Sequence, residues 1–501
     1  MSSEPTSPIG ISGGAGAATA HFSDLVRVTV PDDVLARLGD VCAHVSVERA
    51  AAAEAGRDWW PLAMTWATEG RVPAMAAALA RPASPDEVAA ILRICDDSRI
   101  PVTAAGGRSG VCGGSIPLHG GVALDLTGLA GIRDVDTTSM IVDVGAGTFG
   151  DVYEDELRST HSCTGGHWPQ SIALSTVGGW LACRSAGQYS TRYGKIEDMA
   201  VGLDVVLADG TTIVTGGSPR AAVGPDLTQV FVGSEGTLGI ITGARLRVHD
   251  LPEGEMRRAF GFESFEAGLA ACRQILHRGA TPAVLRLYDT IESQRNFDTE
   301  HRHVLLVLDE ADPALIDATM TIVDTECADA EVLDPMLVDE WLGHRNDVDA
   351  LESLVSAGFV VDTLEVAAPW AALDAVYDDT LAAIGAIDAT IAVSAHQSHA
   401  YPDGACLYFT FAGDRDKVAP DRDGYYRTAW DVGSRAALGA GANLSHHHGV
   451  GLNRARFVRE ALGSSFSVLA AMKQALDPNG ILNPGKLALA DPWADAEEPP
   501  W

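Results

Sequence analysis

Positive charge is scarce in this 501-residue chain: 35 lysines and arginines stand against 68 aspartates and glutamates, a formal net charge of −33. That balance argues against nucleic acid and anionic membrane surfaces as partners, since both select for clustered Lys and Arg. Cysteine is sparse as well. Its eight residues are scattered with no Cys-x-x-Cys pair, so a reducing cytoplasm is expected rather than a disulfide framework or zinc finger. No run of about 18 apolar residues occurs, which excludes an ordinary transmembrane helix. The first twenty residues lack a basic n-region and an apolar h-region, so no signal peptide is expected and the protein is read as cytoplasmic.

What remains is a chain that is 47% hydrophobic and long enough to bury a large core. Its texture divides it into five parts: a mobile segment and helical lead-in (1–80), a glycine-rich unit (81–252), an α+β unit (253–440), a return segment (441–490) and a mobile tail (491–501). An alanine-rich helical region is expected over Asp32 to Glu54. Ser84-Pro-Asp-Glu87 reads as a capping box with proline at the first helical position. Asp209-Gly210 marks a tight hairpin, and Phe457 to Leu476 reads as one amphipathic helix.

Glycine is plentiful, at 52 residues, and clusters at strand exits. Three clusters stand out: Gly106, Gly107, Arg108, Ser109 and Gly110; Ser175, Thr176, Gly178 and Gly179; and Glu235, Gly236 and Gly239 within Gly233 to Gly239. Glycine lets backbone N–H groups approach phosphate oxygens, while Ser, Thr and Arg add side-chain donors. No Gly-x-Gly-x-x-Gly with a downstream acid matches, and no Walker lysine is present, so a nicotinamide or nucleotide-triphosphate enzyme is disfavoured.

The ordered run of Pro101 to Gly110, Val144 to Gly147, Pro169-Gln-Ser171 leading to Ser175 to Gly179, Tyr193 to Asp198, and Gly233 to Ile241 resembles the FAD-binding domain of the vanillyl-alcohol oxidase / p-cresol methylhydroxylase superfamily. The resemblance implies an α+β protein, with a two-subdomain FAD-binding fold of the vanillyl-alcohol oxidase type plus an α+β substrate (cap) domain. It also implies FAD contacts from the three clusters and from Gln170, Ser171, Arg184, Ser185 and Ile240. Relatives that tether flavin through a histidine of the first loop carry it where Arg108 stands. Cys163 lies outside the cysteine-tether context, so noncovalent FAD is implied.

A second informative region joins Asp403 to Phe411 with Ser445-His446-His447-His448-Gly449-Val450-Gly451. Strand alternation puts Leu407, Phe409 and Phe411 on one face and Tyr408 and Thr410 on the other. In an extended chain a metal would see at most two of the three histidines, so an acid/base role suits them better than zinc. A tyrosine, with a reference pKa of about 10, needs a cationic neighbour to ionise near neutrality, and an adjacent histidine would supply one.

These segments, with Leu285 to Asp289, Ala368-Pro-Trp370 and Leu476 to Asn479, resemble the alkylglycerone-phosphate synthase branch of the superfamily. That likeness implies Tyr408 as proton donor and acceptor, His446, His447 and His448 at the active site, and Arg286 at the substrate. It implies exchange of the acyl group of acyl-dihydroxyacetone phosphate for a fatty alcohol. In related 2-hydroxy-acid dehydrogenases the triple histidine is Glu-His-Gly and a histidine replaces the tyrosine, so their metal ligands are missing here and no metal is expected. Leu351 stands where the branch carries a phosphate-binding arginine, with Arg345 as the nearby substitute. The other reading is an FAD-linked oxidase or dehydrogenase acting on an alcohol or 2-hydroxy acid. The expected partners are a small or lipid-like substrate and a second copy of the chain in a homodimer.

Overall fold

The computed structural model describes residues 9–299, 301–494 and 501. Three sheets carry the architecture. The first has four strands in the order Val45–Ser46, Ala78–Ala80, Val122–Asp125 and Val102–Ala105, the last three parallel. Two of these strands come from before residue 81, so the lead-in is an integral part of this lobe. The expected helix over Asp32 to Glu54 is two, Asp32–Val41 and Arg49–Glu54, with the Val45–Ser46 strand between them. Helix Pro85–Asp97 begins where Ser84 Oγ accepts from the Glu87 amide at 3.3 Å. It buries Val88, Ile91, Leu92 and Cys95 with the apolar residues of the sheet.

The second sheet is antiparallel, in the order Thr212–Val214, Ala200–Val206, Ile240–Arg247, Ile141–Gly145 and Ile132–Asp136. Its tight turn uses Gly210 at φ +76°. The third is a seven-stranded antiparallel sheet between Gly254 and Gly413. Its central strands Val284–Tyr288, Thr390–Tyr401 and Gly404–Gly413 lie side by side, and Val360–Pro369 closes the edge. Helices Phe265–His277, Leu373–Gly385 and Arg422–Gly439 share one core with Leu407, Phe409 and Phe411, which are fully buried. The alternation therefore turns Tyr408 and Thr410 to the opposite face. A bulge between Gln397 and His399 inserts Ser398 and changes the phase of the neighbouring strand.

The chain then returns to the first lobe. Val102 donates its amide to Ile481 O, and the Asn483 amide donates to Val102 O, both at 2.8 Å. The single helix expected over Phe457 to Leu476 is broken: Gly463, at φ +52°, separates Val458–Leu462 from Phe466–Leu476. Parts of the ends expected to be mobile are packed. Ile9 and Ile11 are buried, Thr19–Ala20 pairs with Arg71–Val72, and the Trp501 indole meets those of Trp60 and Trp66 at 5.9 and 5.8 Å. Residues 1–8 and 495–500 of those ends lie outside the described residues.

Lys473 anchors the return segment. Its buried ammonium donates to Asp477 Oδ2 at 2.5 Å, Leu482 O at 2.8 Å and Thr237 O at 2.9 Å. Lys473→Met strands the Asp477 carboxylate without its partner, so urea denaturation should show a loss of about 3–5 kcal/mol. A loss under about 1 kcal/mol, the range of an exposed pair, would contradict this role.

Candidate active site

One cavity of about 890 Å³ lies between the glycine loops and the seven-stranded sheet. Gly106 to Gly110, Gln170, Ser171, Ser175, Thr176, Gly178, Gly179, Ser185, Glu235, Gly236, Gly239 and Ile240 line one side; Arg286, Arg345, Tyr408, His447 and His448 line the other. Two sequence-derived site residues fall elsewhere. Arg184 turns away in a left-handed conformation to meet Glu197 at 3.4 Å. His446 sits behind the cavity wall, with its ring between His447 and Tyr401.

The glycine side suits a phosphate-bearing cofactor. Arg108 has φ +54°, and its buried Nε and Nη2 lack partners; Asp125 is 4.0 Å away. The amides of residues 107–110 donate to no acceptor among the described residues, which leaves a concave set of N–H groups facing the cavity. An FAD pyrophosphate would satisfy both. The Gln170 side chain, expected at the flavin, donates instead to Asp347 O at 2.7 Å, although the residue still lines the cavity. Trp59 borders the cavity, whereas Trp60 is core and Trp168 lies under the guanidinium of Arg345.

The histidine segment is clamped by two carboxylates. Glu365, on strand Val360–Pro369, accepts from Ser445 Oγ at 2.8 Å and from the amides of His446 (2.5 Å), His447 (3.2 Å) and His448 (3.0 Å). Arg454 meets it at 2.9 Å with both side chains fully buried. Burial would raise the Glu365 pKa, yet Arg454, the neighbouring histidines and the amides pull it down to about 2. At the other end, Glu235 accepts from the amides of Val450 (2.5 Å) and Gly451 (2.8 Å), so its carboxylate holds this turn rather than the cofactor. The histidines are followed by glycine at position 451 for a steric reason: Gly451 has φ +55°, and a Cβ would lie 2.1 Å from Cys112 O. Lys195 Nζ donates to His446 O at 2.6 Å.

Electrostatics correct one expectation. Burial dominates and holds the imidazoles of His446 and His447 well below their ordinary pKa, and that of His448 at about 4. Neutral histidines do not help Tyr408 ionise, and burial pushes its phenol upward. Tyr408 therefore keeps its proton at neutral pH, and the histidines are neutral. Glu365, Cys406, His446 and His447 place potential ligand atoms within 4.8 Å of one another. The lone pairs of Glu365 are already taken by five donors, so this cluster reads as a hydrogen-bonded network.

Several site residues escaped the sequence reading. Glu292 Oε2 meets His396 Nδ1 at 2.7 Å, and His396 Nε2 accepts from Arg286 at 2.7 Å. The His396 ring stacks on Tyr408 at 5.0 Å. Asp362, also at the cavity, is pushed up to about 7 by burial against the opposing pull of Tyr426 and Trp430. Leu351 and Arg345 both line the cavity, so the arginine is present where the leucine offers no charge. Arg345 packs over Tyr189, Trp168 and Trp341 at 4.9–5.8 Å.

Fold and cavity define a two-lobed flavoenzyme with an active site between its lobes. An FAD binding domain model matches residues 76–216, and a model for the C-terminal domain of FAD linked oxidases matches residues 251–487. The uncharacterized FAD-linked oxidoreductase YgcU of Escherichia coli O157:H7 is 30% identical over 430 residues, covering 82% of this chain and 88% of that protein. Glycolate oxidase subunit GlcD of Bacillus subtilis is 29% identical over 434 residues, covering 83% and 89%. A solved alkyldihydroxyacetonephosphate synthase superposes with a TM-score of 0.75 at 22% identity, over 96% of this chain and 89% of that one. The chain belongs to the FAD-linked oxidases of the vanillyl-alcohol oxidase / p-cresol methylhydroxylase type. Its cofactor is noncovalent FAD.

Acid denaturation followed by filtration should therefore release all the yellow colour; colour retained on the chain would contradict noncovalent attachment. Glu365 also makes stability depend on pH. Its folded pKa lies below its ordinary 4.5, so its contribution is complete above about pH 4.5 and is lost as pH falls toward 2. Glu365→Gln should cost about 3–5 kcal/mol at pH 7 and flatten the acid limb of a stability profile. An unchanged limb would rule the assignment out.

Proposed function

We propose that this protein oxidises an alcohol that carries a neighbouring carboxylate, with 2-hydroxy acids as the substrate class and FAD as the hydride acceptor. The observation that carries the reading is a pair of guanidiniums, Arg286 and Arg345, on the same cavity as Tyr408, His447 and His448. Neither guanidinium has a carboxylate partner within 4.0 Å among the described residues. Arg286 is held by Tyr288 Oη (3.1 Å) and His396 Nε2 (2.7 Å), and Arg345 by Gln188 Oε1 (3.4 Å). In a chain with 33 excess negative charges, two such cations facing one cavity call for an anionic ligand.

Bound FAD supplies the two-electron acceptor. Residues of the chain do the rest. Arg286 and Arg345 hold the substrate carboxylate. His447 or His448, neutral at pH 7, takes the hydroxyl proton as the C–H bond gives up its hydride. Tyr408, still protonated, donates a hydrogen bond to the same oxygen. Trp59, Val111 and Leu174 give the cavity an apolar wall. The reading includes a cytoplasmic location, supported by eight free cysteines, and a homodimeric assembly. Among the described residues no helix is long and apolar enough to cross a membrane.

Redox-neutral exchange of an acyl group for a fatty alcohol is the second reading. The Tyr408 and triple-histidine arrangement favours it, and the solved synthase shares the fold. It needs a site for a phosphate of nearly two charges, to which Leu351 contributes nothing.

Anaerobic mixing separates the two. With a 2-hydroxy acid, the visible flavin band should bleach and stay bleached. An ether product from acyl-dihydroxyacetone phosphate and a fatty alcohol, with no bleaching by any hydroxy acid, would overturn the oxidase reading. Arg286→Met should raise KM for the carboxylate substrate about ten- to a hundredfold, the loss of a charged hydrogen bond of about 1.5–3 kcal/mol.

A further inference from the structure

The bulge at Ser398 has a chemical result. In a regular strand His396 and His399, three residues apart, would face opposite sides; with one residue inserted, both line the cavity. His399 Nδ1 lies 2.8 Å from Ser190 Oγ, which lies 3.1 Å from Tyr401 Oη. Tyr401 Oη lies 3.0 Å from His446 Nε2, and His446 Nδ1 lies 2.9 Å from His447 Nδ1. The chain starts and ends on the cavity, because His399 and His447 both line it and His446, Tyr401 and Ser190 do not. Each member is an imidazole or a hydroxyl, able to donate one proton and accept another. The Nε2 atoms of His399 and His447 bond to nothing among the described residues.

We propose that these five side chains form a proton relay, which takes a proton from substrate at His447 Nε2 and releases one to cavity water at His399 Nε2. The proposal rests on the oxidase reading for the identity of the proton donor. As His447 Nε2 gains the substrate proton, its Nδ1 proton passes to His446 Nδ1. The Nε2 proton of His446 passes to Tyr401, the Tyr401 proton to Ser190, and the Ser190 proton to His399 Nδ1. His399 then loses its Nε2 proton to water as hydronium. One N–H or O–H bond forms and one breaks at each member, so all five are neutral before and after. The relay avoids stranding an imidazolium at His447, which burial above all, with His448, His399, Lys195 and Arg454 adding to it, already holds neutral. It also gives His446, out of the substrate's reach, a defined task.

Ser190→Ala removes the link between Tyr401 and His399 and leaves every imidazole of the relay in place. In the FAD-loaded enzyme, flavin reduction by a 2-hydroxy acid should slow about tenfold or more, with KM changed by less than about twofold. Tyr401→Phe should slow it comparably. The double variant should fall no further than the worse single, because one break already opens the chain. Flavin-reduction rates in mixed H₂O and D₂O should follow a bowed curve in the wild type and a straight line in Ser190→Ala. Multiplying losses in the double variant, an unchanged rate, or a bowed curve that persists would overturn the relay.

A substrate-free arm uses imidazole ¹⁵N resonances of the holoenzyme. Ser190→Ala should shift the signals of both His399 and His446, whereas a shift confined to His399 would overturn the proposal. If no alcohol or hydroxy acid reduces the wild-type flavin, the oxidase reading fails while the ¹⁵N arm still decides whether the five groups are linked.

Discussion

Glu365 stands on an edge strand of the seven-stranded sheet, closed to solvent, and its carboxylate gathers the donors of the turn from Ser445 to His448. A buried carboxylate is costly unless it is paired and hydrogen-bonded, and Arg454 with three amides provides both. Because those amides belong to the three histidines in succession, satisfying the charge also fixes each imidazole. Two rings reach the cavity and the third is held behind it. The rest of the site depends on that arrangement.

The same segment joins the lobes. Glu235, from a flavin-side loop, takes the amides of Val450 and Gly451, while Lys195 from that lobe binds the His446 carbonyl. FAD and substrate therefore meet at a wall built from both halves of the chain. The walls differ in character. The flavin side offers amides and the unpartnered Arg108, and the substrate side offers two guanidiniums and neutral imidazoles. Under the proposed function, an acidic protein can bind an anionic substrate with few cations because they are kept off carboxylates and inside one cavity.

Much of this was legible in the sequence for local reasons. Glycines at strand exits, the alternation around Tyr408 and the run of three histidines are each contained in a few residues, and the first loop and Tyr408 line the cavity they suggested. What was missed depends on partners far apart in the chain. Glu365 is one of two acids, with Asp362, in an otherwise apolar strand, and its partners lie about 80 residues on. Those two charges were the available signal. Glu292, His396, His399 and Ser190 gave none, because the bulge that brings both histidines to one wall shows only in the pairing of two strands. Arg184 and His446 had the right neighbours in sequence but turn away, toward Glu197 and Tyr401. Tyr408 was expected to lose its proton more easily beside histidine; burial discharges the histidines first, and the direction reverses.

The central claim is that Glu365 acts on the chemistry through the histidines it positions. A double-mutant cycle pairing Glu365→Gln with His447→Asn, read as the rate of flavin reduction in protein of matched FAD content, tests it most directly. The account predicts that the double variant reacts no more slowly than the slower single, since a misplaced His447 and an absent one are equivalent. Losses that multiply would show that Glu365 and His447 act independently and would contradict it.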